Sequence, residues 1–309
     1  MTLALLWAVI LASSPAAACM ADQLPACRVI VLSEINAHRV VAHLEPLEGH
    51  PVLEAIARER AREIALGGSV DPSMARLRAT TRRLYRDGYD PHDWTESALV
   101  GRWGSEVFGQ WAEVHPRWYE EVRTGDYEHV GVGIERLGNQ PVFAIVFGLT
   151  KRTMEWRLAA PLADLGQVRT ELLLAVNSER RKKGRGPLVS NPNLDSAAQA
   201  HAEDMLRRAY YDHKSPEGAT VARRVRDAGY GKPRMVTENI AKGLFSPTET
   251  VERWMASSGH RKNILIEKAS ELGSGVAFGE NANGFEVVWV QVLATPSSGA
   301  GINERQLGN

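Results

Sequence analysis

Apolar positions in the second half of the chain first recur with the period of a helix. Val168, Leu172 and Val176 are followed at the same spacing by Arg180, and Gly184 stops the run. Asn191-Pro192 provides a helix start, and Leu194, Ala198, Ala202 and Met205 form a core-facing stripe behind it. A short helix is expected around residues 221–228, ending at Gly229. Ser246-Pro247-Thr248-Glu249 fits a capping box and opens a helix through Val251, Trp254 and Met255 to about Ser257. The period then changes. Residues 275–278 and 285–292 read as strands around the turn-rich segment 279–284. Helices first and an antiparallel hairpin last predict an α+β domain.

The same pattern is written twice. Residues 31–64 align without gaps on residues 172–205. Asn36 matches Asn177, Arg39 matches Arg180, Pro46-Leu47 matches Pro187-Leu188, and Ala57 and Ala61 match Ala198 and Ala202. Every pair lies at the offset of 141 residues (177 less 36), and Gly88-Tyr89 still answers Gly229-Tyr230 there. Beyond it the register drifts, with Thr95-Glu96 answering Thr237-Glu238, Trp111 answering Trp254 and His115 answering His260. Gly131-Val132-Gly133 answers Gly273-Ser274-Gly275. The expected organisation is a signal peptide over 1–18, a first domain over 28–150, a linker over 151–166, a second domain over 167–297 and a tail over 298–309.

Composition narrows the setting. Lysine plus arginine equals aspartate plus glutamate, 37 against 37 in 309 residues. No basic excess is available to neutralise phosphates, so nucleic acid is not an expected partner. Residues 3–12 are an apolar run of signal-peptide length, followed by the small residues of 15–18, which suits export. The run is short for a bilayer span, and the mature chain is expected to carry no transmembrane helix. Cys19 and Cys27 are the only cysteines. Three readings are open for them: a small disulfide in an oxidising compartment, two inert thiols, or a lipid anchor at Cys19, with plain secretion favoured over the anchor.

Three residues of the second half are candidates for chemistry: His213, Glu238 and His260, all expected at helix ends or in connecting loops. Two imidazoles and one carboxylate can ligate zinc with a coordination position left open. The competing reading is of loop histidines hydrogen-bonded to carbonyls. His201, beside the Ala198 and Ala202 stripe, reads as a structural histidine, and Trp254 and Trp289 read as core aromatics.

Residues 165–295 resemble the CAP superfamily (cysteine-rich secretory, antigen 5 and pathogenesis-related proteins, also called SCP domains) in its bacterial form. The resemblance rests on Asn177-Ser178-Glu179-Arg180, Pro187-Leu188, residues 194–205, and His213-Lys214-Ser215-Pro216. It continues through Glu238-Asn239-Ile240-Ala241, Trp254 to His260-Arg261-Lys262-Asn263-Ile264, and Trp289-Val290-Gln291. It implies a secreted α-β-α sandwich with a central cleft, in which many members gather two histidines and two acidic residues and some bind zinc or another divalent cation. His213, Glu238 and His260 match three of those four positions. Ala256 and Ser257 stand where the second acid is expected, which removes one candidate base for a metal-bound water.

The first half keeps Glu96 and His115, but Pro72, with Asp71 beside it, lies opposite His213. It therefore reads as a degenerate CAP-like domain. The leading expectation is a non-enzymatic extracytoplasmic module that binds a small molecule, lipid or peptide in the second domain, with no catalytic residue assigned. The alternatives are a metal-dependent hydrolase or peptidase, and a structural or host-interaction scaffold whose site is vestigial. The chain has no His-Glu-x-x-His helix and no Gly-x-Ser-x-Gly elbow to support a hydrolase.

Overall fold

A computed structural model of the chain describes residues 18–297; the expected signal peptide and C-terminal tail fall almost wholly outside the described residues. The chain divides into two compact units at Met154/Glu155.

The first unit opens with α1 (Leu24–Val41), β1 (Glu48–Gly49), α2 (Pro51–Ala65) and α3 (Met74–Arg86). It continues through β2 (Pro91–Val100), α4 (Gln110–Val114), α5 (Pro116–Thr124), β3 (His129–Leu137) and β4 (Gln140–Thr150). Helix α6 (Lys151–Ala159) and a 3₁₀ turn (Ala160–Ala163) follow, so the expected linker is largely helical. The second unit then has α7 (Leu165–Lys182), β5 (Val189–Ser190), α8 (Pro192–Arg207) and α9 (Val221–Asp227). Strand β6 (Met235–Lys242), α10 (Pro247–Ala256), α11 (Ser258–Ile264), β7 (Glu271–Asn281) and β8 (Gly284–Thr295) complete it.

Each unit holds a four-stranded sheet of the same topology, β1-β3-β4-β2 and β5-β7-β8-β6. The two-residue strand pairs in parallel and the rest are antiparallel. Strand alternation gives both sheet faces apolar side chains. On β8, Val287, Trp289 and Leu293 pack with α7 and α10, while Val288, Val290 and Val292 pack with Leu194, Ala198 and Ala202 of α8. The fold class is thus a mixed α-β-α sandwich. Edge strand β6 and helix α11 were not legible as apolar periodicities, because β6 mixes Thr237, Glu238 and Asn239 with its apolar residues.

Two devices recur in both units. The first is a buried guanidinium, 2% exposed for Arg39 and 1% for Arg180. Arg180 donates from Nε to Gly186 O (2.7 Å), from Nη1 to Ile264 O (2.7 Å) and Ile266 O (2.9 Å), and from Nη2 to Ala269 O (3.3 Å). Arg39 does the same to Glu45 O (3.0 Å), Val122 O (3.1 Å), Gly125 O (2.9 Å) and Tyr127 O (3.1 Å). Beside it a carboxamide closes the following turn: Asn36 with Leu47, and Asn177 with Leu188, each through two backbone bonds.

The second device is close helix–strand approach. A Cβ on Gly131 would fall 2.1 Å from the Leu53 carbonyl carbon, and one on Gly273 would fall 2.1 Å from that of Leu194. Only glycine lets α2 and α8 lie so near their sheets.

The N-caps of α2 and α8 differ instructively. Asn191 Oδ1 accepts from Asn193 N (3.0 Å) and Leu194 N (3.4 Å), while its Nδ2 donates to Glu271, which also accepts from the Tyr230 hydroxyl. In the first unit those positions hold His50, His129 and Tyr89. His50 Nδ1 accepts from Val52 N (3.3 Å), its ring lies 4.8 Å from those of Tyr89 and His129, and the Tyr89 hydroxyl is 3.3 Å from His129 Nδ1. Burial, and then His129, lower the pKa of His50, opposed by Glu128.

At the N-terminal end of α1, Cys27 is joined to Cys19 by a disulfide, which realises the first of the three expected readings.

Two predictions follow from this architecture. Replacing Arg180 with Met strands four carbonyls, two of them in fully buried bonds, and is expected to cost roughly 3–5 kcal/mol, read as a lower thermal midpoint of the second unit's transition. His50 can cap only while Nδ1 is unprotonated. Its lowered pKa gives stability that is present above the ordinary value of 6.5 and lost as pH falls through the folded value. His50→Asn is therefore expected to flatten the decline of the first unit's melting temperature between neutral and acid pH. Parallel declines for both proteins would sink that account.

Candidate functional site

Strand β6 lies at the sheet edge and pairs with β8. Consecutive residues of β6 point to opposite faces, so Glu238 enters the α8–α9 side and Asn239 the α10–α11 side. Glu238 therefore belongs to a strand interior rather than to the loop or helix end expected for it.

The Glu238 side chain is 2% exposed. Such a buried carboxylate needs compensating donors, and it has two. His213 Nδ1 donates to Oε1 at 2.8 Å, and Arg224 Nη2 donates to Oε2 at 2.5 Å. Arg224 comes from α9, whose N-cap Thr220 accepts from Arg223 N. The same guanidinium donates to the His213 and Ala219 carbonyls, so one side chain fixes both the carboxylate and the loop that presents the imidazole. Nothing in the helical spacing of residues 221–228 distinguishes Arg224 from its neighbours Arg223 and Arg226, and sequence reasoning missed it.

His201 is buried at the base of this loop. Its Nε2 donates to Asp212 O at 3.1 Å, and burial lowers its pKa. That is a structural role, as expected for it, since the bond anchors the residue preceding His213. His213 itself is 55% exposed at the side chain. Because the carboxylate can only accept, the proton sits on Nδ1, which leaves Nε2 turned to other partners. The Glu238 bond raises the pKa of His213. His260, half-buried on α11, has its pKa lowered by burial and by His213. The structure thus brings His213 onto Glu238 and places His260 within electrostatic reach of His213. Among the described residues, no group of three or more His, Cys, Asp or Glu side chains is arranged to hold a metal ion.

In the first unit Glu96 occupies the place of Glu238: both pair with β-strand valines, Val146 and Val292. A guanidinium stands in for the missing histidine. Arg76 Nε lies 3.2 Å from Glu96 Oε1, and its Nη1 is 2.5 Å from Glu63 Oε2. His115 does not occupy the place of His260. Arg39 holds Val122 as Arg180 holds Ile264, and four residues before each stand Trp118 and His260. Drift between the helices misled the sequence alignment by three residues here. Trp118 donates its indole N–H to Thr95 Oγ1 (3.1 Å), and His115 links α4 to α5.

Comparison with known proteins agrees with the second unit. The model of the CAP family, the cysteine-rich secretory protein family, matches residues 173–293. The uncharacterized protein YkwD of Bacillus subtilis is 39% identical over 99 residues, 32% of this chain and 38% of the relative. The uncharacterized membrane protein YlbC of the same organism is 31% identical over 106 residues, 34% of this chain and 30% of the relative. The chain therefore spans well under half the length of either. Among solved structures, an extracellular protein containing a SCP domain from Bacillus anthracis is similar at 16% identity and a TM-score of 0.40, over 69% of this chain and 70% of that one. Over residues 173–293 the second unit is thus similar to the CAP family, the cysteine-rich secretory protein family, and it has the mixed sandwich described above.

Proposed function

We propose that the chain is an extracytoplasmic, non-enzymatic binding protein. Its second unit takes a small molecule, lipid or peptide at the site that bears His213 and His260. The observation that carries this reading is the saturation of Glu238. Both carboxylate oxygens are engaged by side chains of the same unit, so Glu238 does not stand free as a general base beside the imidazoles. With Ala256 and Ser257 at the positions of the second acid, the hydrolase reading lacks the second carboxylate that the family resemblance would supply.

A divalent cation such as zinc suits two of the three residues first considered. His213, through Nε2, and His260 would supply neutral imidazoles, with remaining positions left to water or ligand; a bound cation would add Lewis acidity there. Glu238 fits the outer role of a carboxylate that fixes the tautomer and orientation of His213 rather than that of a ligand. The first unit, with Arg76 on Glu96 and Trp118 in the place of His260, is proposed as a degenerate copy that has kept the scaffold and lost the site.

The extracytoplasmic assignment draws on the signal-like N-terminus, on the Cys19–Cys27 disulfide and on the extracellular SCP-domain protein to which the chain is similar. The disulfide occupies the sulfur that a lipid anchor at Cys19 would use, which favours plain secretion. Among the described residues no helix is long and apolar enough to cross a membrane.

Calorimetric titration of the full chain with zinc is expected to show one saturable site, absent from the His213→Ala/His260→Ala variant. Equal binding by both proteins, or none by either, would overturn the metal site. Glu238→Gln is expected to weaken zinc about 10–100-fold. Because both imidazoles must be neutral to bind, affinity should fall as pH drops towards and below the ordinary histidine value. In the metal-free protein, NMR should find His213 titrating above 6.5 and His260 below it.

A further inference from the structure

Opposite Glu238 across β6, a cluster of carboxamides is buried against apolar side chains. Asn239 and Gln291 are both fully buried, directly paired across β6 and β8, and flanked on their face by Ala241, Trp289 and Leu293. Asn239 Nδ2 donates to Gln291 Oε1 (2.9 Å) and to His260 O (3.2 Å). Asn263, on α11, donates from Nδ2 to Asn239 Oδ1 (2.9 Å) and to Glu238 O (3.2 Å). The amides thus stitch α11, which carries His260, to the backbone of the residue whose side chain holds His213.

A sandwich core does not need these groups. The sheet register places Ser97 and Ile145 of the first unit opposite Asn239 and Gln291, since Ser97 pairs with Ile145 as Asn239 pairs with Gln291. Glu121, one residue before Val122, answers Asn263, one before Ile264. That unit closes with hydrocarbon at Ile145 and with a Trp111 indole N–H donated to Ser97 Oγ (3.1 Å). Burying two carboxamides is costly unless their bonds are made, and a matched apolar replacement is close to neutral for folding. Their presence in the unit that has His260, against their absence from the unit with Trp118 in its place, calls for a role other than packing. Carboxamides donate and accept without titrating, so they hold a fixed spacing over the pH range in which the imidazoles change charge.

We propose that Asn239, braced by Gln291 and Asn263, is the positioning residue that sets His260 at its working distance from the His213–Glu238 pair. The role rests on the binding site proposed above, and its test has one readout that needs no metal. In the full chain, Asn239→Ser/Gln291→Ile installs the first unit's residues. The variant is expected to keep the melting temperature of the second unit and to lose zinc affinity by at least about 10-fold. Amide hydrogen exchange in residues 258–264 should speed up while β6, β7 and β8 keep their protection. Asn263→Ala, on the partly exposed face of α11, should show the same two changes and decides the matter if the double variant fails to fold. Unchanged exchange in α11 together with unchanged zinc affinity overturns the proposal. Absence of zinc binding by the wild-type protein would overturn the metal site alone, and exchange in α11 would still decide the positioning role.

Discussion

The buried arginine is the constraint on which each unit depends. A guanidinium inside an apolar core is tolerable only when its N–H groups are met, and here backbone carbonyls from the ends of the unit meet them. In satisfying Arg180, the chain is forced to bring the end of α11 and the approach to β7 against the last turn of α7. The site follows from that placement. Once α11 is held there, Asn239 and Asn263 can reach across, and Glu238 is left facing the other way with His213 and Arg224 as partners.

Much of the scaffold was legible because its requirements are local in sequence. Arg39 and Arg180, Asn36 and Asn177, and the glycines of 131–133 and 273–275 each answer a steric or hydrogen-bonding demand that few residue types can meet. Such demands leave the same letters in both copies. The candidate site was legible only in part. His213, Glu238 and His260 could be named as residue types, but the mutual saturation of Glu238 depends on Arg224, one cation among several on a short helix. The place of His115 was misjudged because length changes between α4 and α5 leave no periodicity to follow. Edge strand β6 was obscured for a related reason, since its alternate residues serve a polar site on one face and a polar brace on the other.

The two units show how far one scaffold can diverge at its working positions. The N-cap of the α2/α8 pair carries an imidazole cluster in one unit and a carboxamide with a carboxylate in the other. The buried glutamate of the edge strand meets Arg76 in one and His213 with Arg224 in the other. In each case the need for a hydrogen-bonding partner is preserved while its chemistry is exchanged. Identity of fold thus coexists with different chemistry at corresponding positions within this single chain.

The reach of the arginine clasp also governs the order in which the protein can be assembled on the ribosome. Arg39 and Tyr127 are 88 residues apart, as Arg180 and Ala269 are 89 apart, so neither ring of contacts can close until nearly a whole unit has emerged. Both rings nevertheless close within their own unit. The leading half can therefore complete its core while the trailing half is still being synthesised.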